Sequence, residues 1–244
     1  AFIRARNPGE RQIAGAGGRM SSDLPQLLEG WGIRYNPARV VADPPNARRI
    51  NLGPDRPRFP YPVWINLREF GHELPATAGL GEILLAESGS FSVTNDTLAV
   101  TPILETSPMS GEVAATAPTH LPPDEIPAQV ERTPNPHLLA ALIRGRFPSA
   151  FPNGPPVDDV QEELARMLEA DKGKWLAESS GESTLFLVAD SDFLVESCAV
   201  EPVRYHGQES VAPINDNLAF GLNMLEMLAG ATELAAIRSR GTAN

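Results

Sequence analysis

Apolar positions fall into two contrasting patterns along this chain. From Asn217 to Ala229, Leu218, Leu222, Leu225 and Leu228 form one stripe, and Phe220, Met224 and Met227 form another. Spacings of three and four predict a helix, and two apolar stripes predict that it is covered on most sides. Gly230 supplies its stop. The run Leu185-Phe-Leu-Val-Ala189 instead has no polar interruption and ends abruptly at Asp190. A short run that is apolar on both faces predicts a central strand of a parallel sheet.

Weaker patterns fill in the rest. Ser21–Gly30 predicts a helix, with Ser22 or Asp23 as cap, Pro25 in the first turn and Gly30 or Gly32 at the end. Ala1–Ile3, Ile33, Val40-Val41, Tyr61–Asn66, Ile83–Leu98 and Val100–Pro108 predict strands. His137–Arg144 fits a short helix or a strand, closed by Gly145. Val160–Leu168 and Ala231–Arg240 predict further helices. Asn7–Gly18 reads as a loop, Asp43–Pro62 as an ordered surface loop and Met109–Pro136 as a mobile one. Phe147–Pro156 is too rich in proline to be regular, and Lys172–Gly181 reads as a polar linker. The expected architecture is an α/β domain over residues 1–244. It has three layers, with a mostly parallel sheet flanked by helices. A β-rich or irregular excursion, residues 84–156, packs at one end.

Charge narrows the function classes. The formal net charge is −11, which opposes binding to nucleic acid or adsorption to anionic lipid, since both need a basic surface. The single cysteine, Cys198, permits no intrachain disulfide. No run approaches the roughly 20 apolar residues of a membrane helix, and no signal peptide is evident. The chain starts Ala1-Phe-Ile, already apolar, as an excised piece of a longer protein would.

Candidate chemistry gathers at the end of the apolar run and the start of the long helix. Asp190 and Asp192 would lie beyond a strand's carboxyl end, where open α/β sheets bind ligands. They better fit a turn or a helix cap, though with Asp216 they could hold a hard cation. Asn215, Asp216 and Asn217 precede the helix and can cap it or contact a ligand. Asn223 lies inside an apolar helix, where an unpaired amide is unfavourable, so it is expected to be buried and hydrogen-bonded. Arg238 and Arg240 could hold an anion or stay solvated. His72, His120, His137 and His206 have no metal-ligand spacing. Cys198 reads as a small buried hydrophobe, and pairing with His206 as a nucleophile has no support in the sequence. Gly15-Ala-Gly-Gly18 lacks the lysine and hydroxyl of a phosphate loop. No catalytic residue, metal set or cofactor is assigned.

Six motifs occur in a fixed order: Leu24-Pro-Gln-Leu-Leu-Glu-Gly-Trp-Gly-Ile33, Thr106-Ser-Pro108, Leu142-Ile-Arg-Gly-Arg-Phe-Pro-Ser-Ala-Phe151, Val188-Ala-Asp-Ser-Asp-Phe-Leu194, Pro213-Ile-Asn-Asp-Asn217 and Ile237-Arg-Ser-Arg240. Together they resemble the auxiliary component of gliding-motility-type ABC transport systems. The resemblance implies an extracytoplasmic domain of a bacterial inner-membrane protein, anchored through segments outside this chain. It implies ABC permease and ATPase subunits as partners. It also implies a class I glutamine amidotransferase-like fold without the catalytic triad, here trimmed at its N-terminus. The function expected is therefore a non-enzymatic accessory or substrate-contacting domain. Two alternatives remain: a glycan- or peptide-binding module using the strand-end crevice, and a hydrolase with a carboxylate site.

Overall fold

The computed structural model describes residues 24–71, 74–152, 154, 166–167, 175–205 and 208–230. The expectations for Ala1–Ile3, Asn7–Gly18, Ala231–Arg240 and nearly all of Val160–Leu168 lie outside these residues, as do His72 and His206.

The described part opens with α1 (Pro25–Gly30), preceded by Leu24 with a left-handed backbone (φ 46) and followed by Gly32 (φ +71). Strands β1 (Ile33–Tyr35), β2 (Arg39–Ala42), β3 (Ala47–Ile50) and β4 (Phe59–Leu67) follow. Next come β5 (Ile83–Ala86), β6 (Phe91–Val93), β7 (Ala99–Glu105) and β8 (Gly111–Ala114). After α2 (Ala117–His120) and a 3-10 stretch, Pro123–Gln129, come β9 (Glu131–Arg132), β10 (Leu138–Gly145) and β11 (Ser183–Val188). A 3-10 turn, Asp192–Leu194, and α3 (Glu196–Ala199) lead into β12 (Val200–Tyr205) and β13 (Gln208–Pro213). The long helix α4 (Asn217–Leu228) closes the described part.

The fold is mixed α/β, as expected, but the mostly parallel sheet is not what forms. Every strand pairing among the described residues is antiparallel. In the five-stranded sheet β10 lies between β7 and β11, and β6 bridges to β1. β2, β8 and β9 form a second sheet, β3, β4 and β5 a third, and β12 and β13 a hairpin. The expected parallel ladder of an amidotransferase-like sheet is therefore absent among the described residues. Of Leu185–Ala189, residues Leu185–Val188 do extend as a strand, but β11 pairs with β10 alone among the described strands, so it is not a central strand.

The physical reason lies in how the two faces are covered. Ala140, Leu142, Phe186 and Val188 point into one core with Ile65, Ile83, Leu85, Phe220 and Met224. Their neighbours Ala141, Ile143, Leu187 and Ala189 point into another with Leu28, Ile33 and Phe147. A strand becomes apolar on both faces when both are covered, whatever the direction of its partners. Here the covers are β4, β5 and α4 on one side and α1 on the other. A third core joins β2, β4 and β8 through Val40, Val63, Val113 and Ile126.

Other differences follow from turn-rich composition. Met109–Pro136, expected as a mobile loop, holds β8, α2, the 3-10 stretch and β9. Asp43–Pro62, expected as a loop, contains β3. The β-rich excursion, residues 84–156, supplies β10, the centre of the largest sheet. The long helix is not covered on most sides: Phe220 and Met224 are buried, whereas Leu218, Leu222, Leu225 and Leu228 are exposed. No helix among the described residues is long and apolar enough to cross a membrane.

Candidate functional site

Three of the residues singled out from sequence, Asp190, Asp216 and Asn217, converge on β5 and the turn entering it. Asp190 follows β11 and is buried. Its Oδ2 accepts the Ala86 N–H at 2.7 Å and its Oδ1 the Asp192 N–H at 2.7 Å. The second bond closes a side-chain turn over Ser191, the local geometry aspartate favours. Burial pushes the Asp190 carboxyl up to about 7, against the pull of the two N–H donors; nearby Asp192 and Glu87 push it the same way. Asp192 is buried beside it.

The Asn-Asp-Asn cluster completes this junction. Asp216 Oδ2 accepts the N–H groups of Gly81 (2.7 Å) and Glu82 (2.9 Å), and its own N–H donates to the Glu82 carbonyl. Asn217 is fully buried. Its amide donates to the carbonyls of Leu84 (2.8 Å) and Phe193 (2.7 Å) and accepts the Leu84 N–H at 2.9 Å. Asn215 donates to the Cys198 carbonyl at 2.6 Å and accepts the Asn217 N–H at 3.0 Å. The capping expectation needs correction here. None of the three side chains caps α4, except in that Asn215 fixes the first N–H; Asp216 reaches the turn before β5 and Asn217 reaches β5 itself, each more than 130 residues away.

Asn223 meets its expectation. It is buried, and its amide donates to the Ala76 carbonyl at 3.3 Å. It therefore ties α4 to the loop before β5, while the link to the Asp190 region is made by Asn217 through Phe193. Arg238 and Arg240 lie outside the described residues. Cys198 is buried, and its thiol is pushed up to about 11, chiefly by burial and then by the Asp190 charge. It is a thiol, not a thiolate, at neutral pH. Among the described residues no three His, Cys, Asp or Glu side chains are grouped to hold a metal ion.

A different site was not legible in the sequence. β6 meets β10 at the single pair Phe91↔Leu138. Around that pair lies an open cleft of about 640 Å³, walled by Tyr35, Phe91, Val93 and Leu138 and edged by Asn36, Ser92 and Asn135. His137 sits in its wall. Its Nδ1 is 3.1 Å from Ser90 Oγ and 3.7 Å from Glu112 Oε1, and its Nε2 is 2.9 Å from Thr133 Oγ1. Burial holds the imidazole below its usual range, although Glu112 and Asp43 pull the other way. His137 is thus neutral at neutral pH, one nitrogen donating and the other accepting.

The Thr106-Ser-Pro108 motif braces this wall from behind. Thr106 Oγ1 accepts the His137 N–H at 2.7 Å and lies 2.7 Å from Ser110 Oγ. Ser107 donates its N–H (2.8 Å) and hydroxyl (2.6 Å) to the buried carboxylate of Asp43 at the end of β2. The only sequence signal for the cleft was Thr133-Pro-Asn-Pro-His137, a rigid turn that folds His137 back onto Thr133.

Comparison with known proteins adds one finding. No curated protein and no solved structure matched the chain. The model of a family described as an ABC-type uncharacterized transport system matches residues 3–224. That span contains β5, its ties to α4, and the cleft, and it shows that the chain belongs to this family of auxiliary ABC transport components.

Proposed function

We propose that the protein is a non-enzymatic, extracytoplasmic accessory domain of an ABC transport system, of the gliding-motility type, held beside a permease and an ATPase at the bacterial inner membrane. The family match over residues 3–224 carries this reading. The chemistry of the junction supports it. Asp190, Asp216 and Asn217, the polar groups a hydrolase would need free, point at backbone N–H and carbonyl groups. A general base must instead lie within reach of a nucleophile or water in an open site. A carboxylate-site hydrolase therefore finds no support at Asp190.

The second reading, a module that binds a glycan or a peptide, is favoured by one observation: the cleft at His137. It combines apolar and aromatic walls with amide, hydroxyl and imidazole groups, the composition of a small-ligand site. It replaces the strand-end crevice as the place where cargo would touch this domain.

The test is co-purification. The full-length protein, expressed with the neighbouring transporter genes and extracted from membranes, should bring down the permease and the ATPase in fixed proportion. An externally added impermeant protease should cut it in spheroplasts. Recovery of the protein alone, or protection from that protease, would contradict the reading.

A further inference from the structure

The long helix turns the wrong face to water. A helix at a protein surface carries charged residues on its solvent side. On α4 that side presents Leu218, Leu222, Leu225 and Leu228; Leu222 is 46% exposed and Leu225 63%. Its charged residue, Glu226, stands one step round from this stripe and is half-buried. The patch does not end at the helix. Leu194 and Val195, from the turn before α3, are also exposed. Leu194 lies so close over Gly221 that a methyl group there would come within 2.9 Å of its Cδ2. Gly221 is unfavourable in a helix interior by about 1 kcal/mol relative to alanine. Its lack of a side chain lets Leu194 settle beside Leu218, Leu222 and Leu225, which flank position 221 on the helix surface. The result is one continuous apolar surface, two helical turns long.

We propose that this surface docks a helix of a partner protein, apolar along one side and carrying lysine or arginine on its flanks. Contiguous apolar patches rimmed by polar groups mark interaction sites. Apolar stripes at i, i+4 and i+7 are the faces through which helices pack on one another. The charge around the patch selects the occupant. Glu196 is exposed beside Val195; Glu201 and Glu209 are exposed on the β12–β13 hairpin that joins α3 to α4. From Asp190 to Gly230 the sole lysine or arginine is Arg204, which pairs with Glu209 at 3.4 Å. A second copy of this chain would set glutamates against glutamates, and juxtaposed like charges suppress association. An anionic bilayer would repel the same rim. A basic-flanked helix meets both the leucines and the glutamates. The inference goes beyond the transport reading and stands without it, because the face itself sets the chemistry of its partner.

The test uses the full chain and three designed 18-residue helical peptides, with binding read by fluorescence anisotropy. One carries a leucine stripe flanked by lysines. The second has the same stripe flanked by glutamates, and the third the first composition with its leucines scrambled. The lysine-flanked stripe should bind at least tenfold more tightly than either other peptide. L222Q/L225Q should weaken it tenfold or more with an unchanged thermal midpoint, and L225Q alone serves if the double variant melts early. E196K should narrow the preference for lysine flanks over glutamate flanks. Equal binding of the scrambled peptide, or no binding of any, would overturn the proposal. So would a dimer seen by light scattering, or sedimentation with phosphatidylglycerol vesicles, if either is abolished by L222Q/L225Q.

Discussion

The β5 junction and the His137 cleft hold similar side chains in opposite circumstances. At the junction Asp190, Asp216 and Asn217 are surrounded by backbone, and their polar atoms point at the N–H and carbonyl groups of β5 and its entry turn. At the cleft the Ser90 and Thr133 hydroxyls each meet a ring nitrogen of His137, beside open space. Removing water makes a hydrogen bond hard to do without, so the junction side chains act as structure. Groups that keep contact with solvent can exchange a partner for a ligand. Polar residues beside an apolar run therefore mark a site only when a cavity accompanies them.

The sharpest way to break this comparison is Asn217→Ala. The change strips hydrogen bonds from the N–H and carbonyl of Leu84 and from the Phe193 carbonyl. Each buried group left without a partner is unfavourable by about 1–3 kcal/mol, so a loss of about 3–4 kcal/mol is expected in urea unfolding. An unchanged midpoint would mean that α4 is not tied to β5 in this way.

Asp190 offers a test by pH. Its folded pKa, about 7, lies above the ordinary aspartate value. A raised carboxyl pKa means that the neutral form is favoured in the fold. Its contribution is fully present below pH about 4 and is lost as pH rises through about 7. The stability of the wild type relative to Asp190→Asn should therefore decline from pH 4 to 7. A difference that grows across that window would show that Asp190 is ionised in the fold.

Asn223→Leu breaks the 3.3 Å bond to the Ala76 carbonyl, so a loss of about 1–3 kcal/mol, smaller than at Asn217, is expected from the midpoint of urea unfolding. His137 gives the smallest effect on stability. Its folded pKa is depressed, so its contribution is present above the unfolded value, near 6.5, and is lost as pH falls through the folded one. Imidazole resonances followed by NMR should titrate below pH 6.5, and His137→Gln should remove that share of acid destabilisation. A midpoint above 6.5 would place a charged imidazole at the cleft. Thermal melts with EDTA and with millimolar Mg²⁺ or Ca²⁺ should coincide, since backbone N–H groups already occupy both side-chain oxygens of Asp190 and Oδ2 of Asp216.

Local features were the legible ones. Leu185–Ala189 declared a strand by its length and the polar residues around it, and Asn217–Ala229 a helix by its spacing. Asn223 declared its burial because an amide within apolar neighbours needs a partner. Pairing direction was not legible. Two-sided burial of β10 and β11 imitates a central parallel strand, and the covers come from distant segments. The junction was half legible: Asp216 and Asn217 stood out as polar at a helix start, but their partners lie in Gly81–Leu84. The His137 cleft was hidden for the same reason, because Ser90 is 47 residues from His137 in sequence.

Amide hydrogen exchange on the full chain tests the central claim most directly. The N–H groups of Leu84, Ala86 and Asp192 have side-chain acceptors in Asn217 and Asp190. All three should exchange only through large-scale unfolding, with protection matching that of the core strand β10. In Asn217→Ala the Leu84 amide should lose that protection first. Rapid exchange of these three amides in the wild type, while β10 stays protected, would contradict the account: Asp190 and Asn217 would then be free for a ligand.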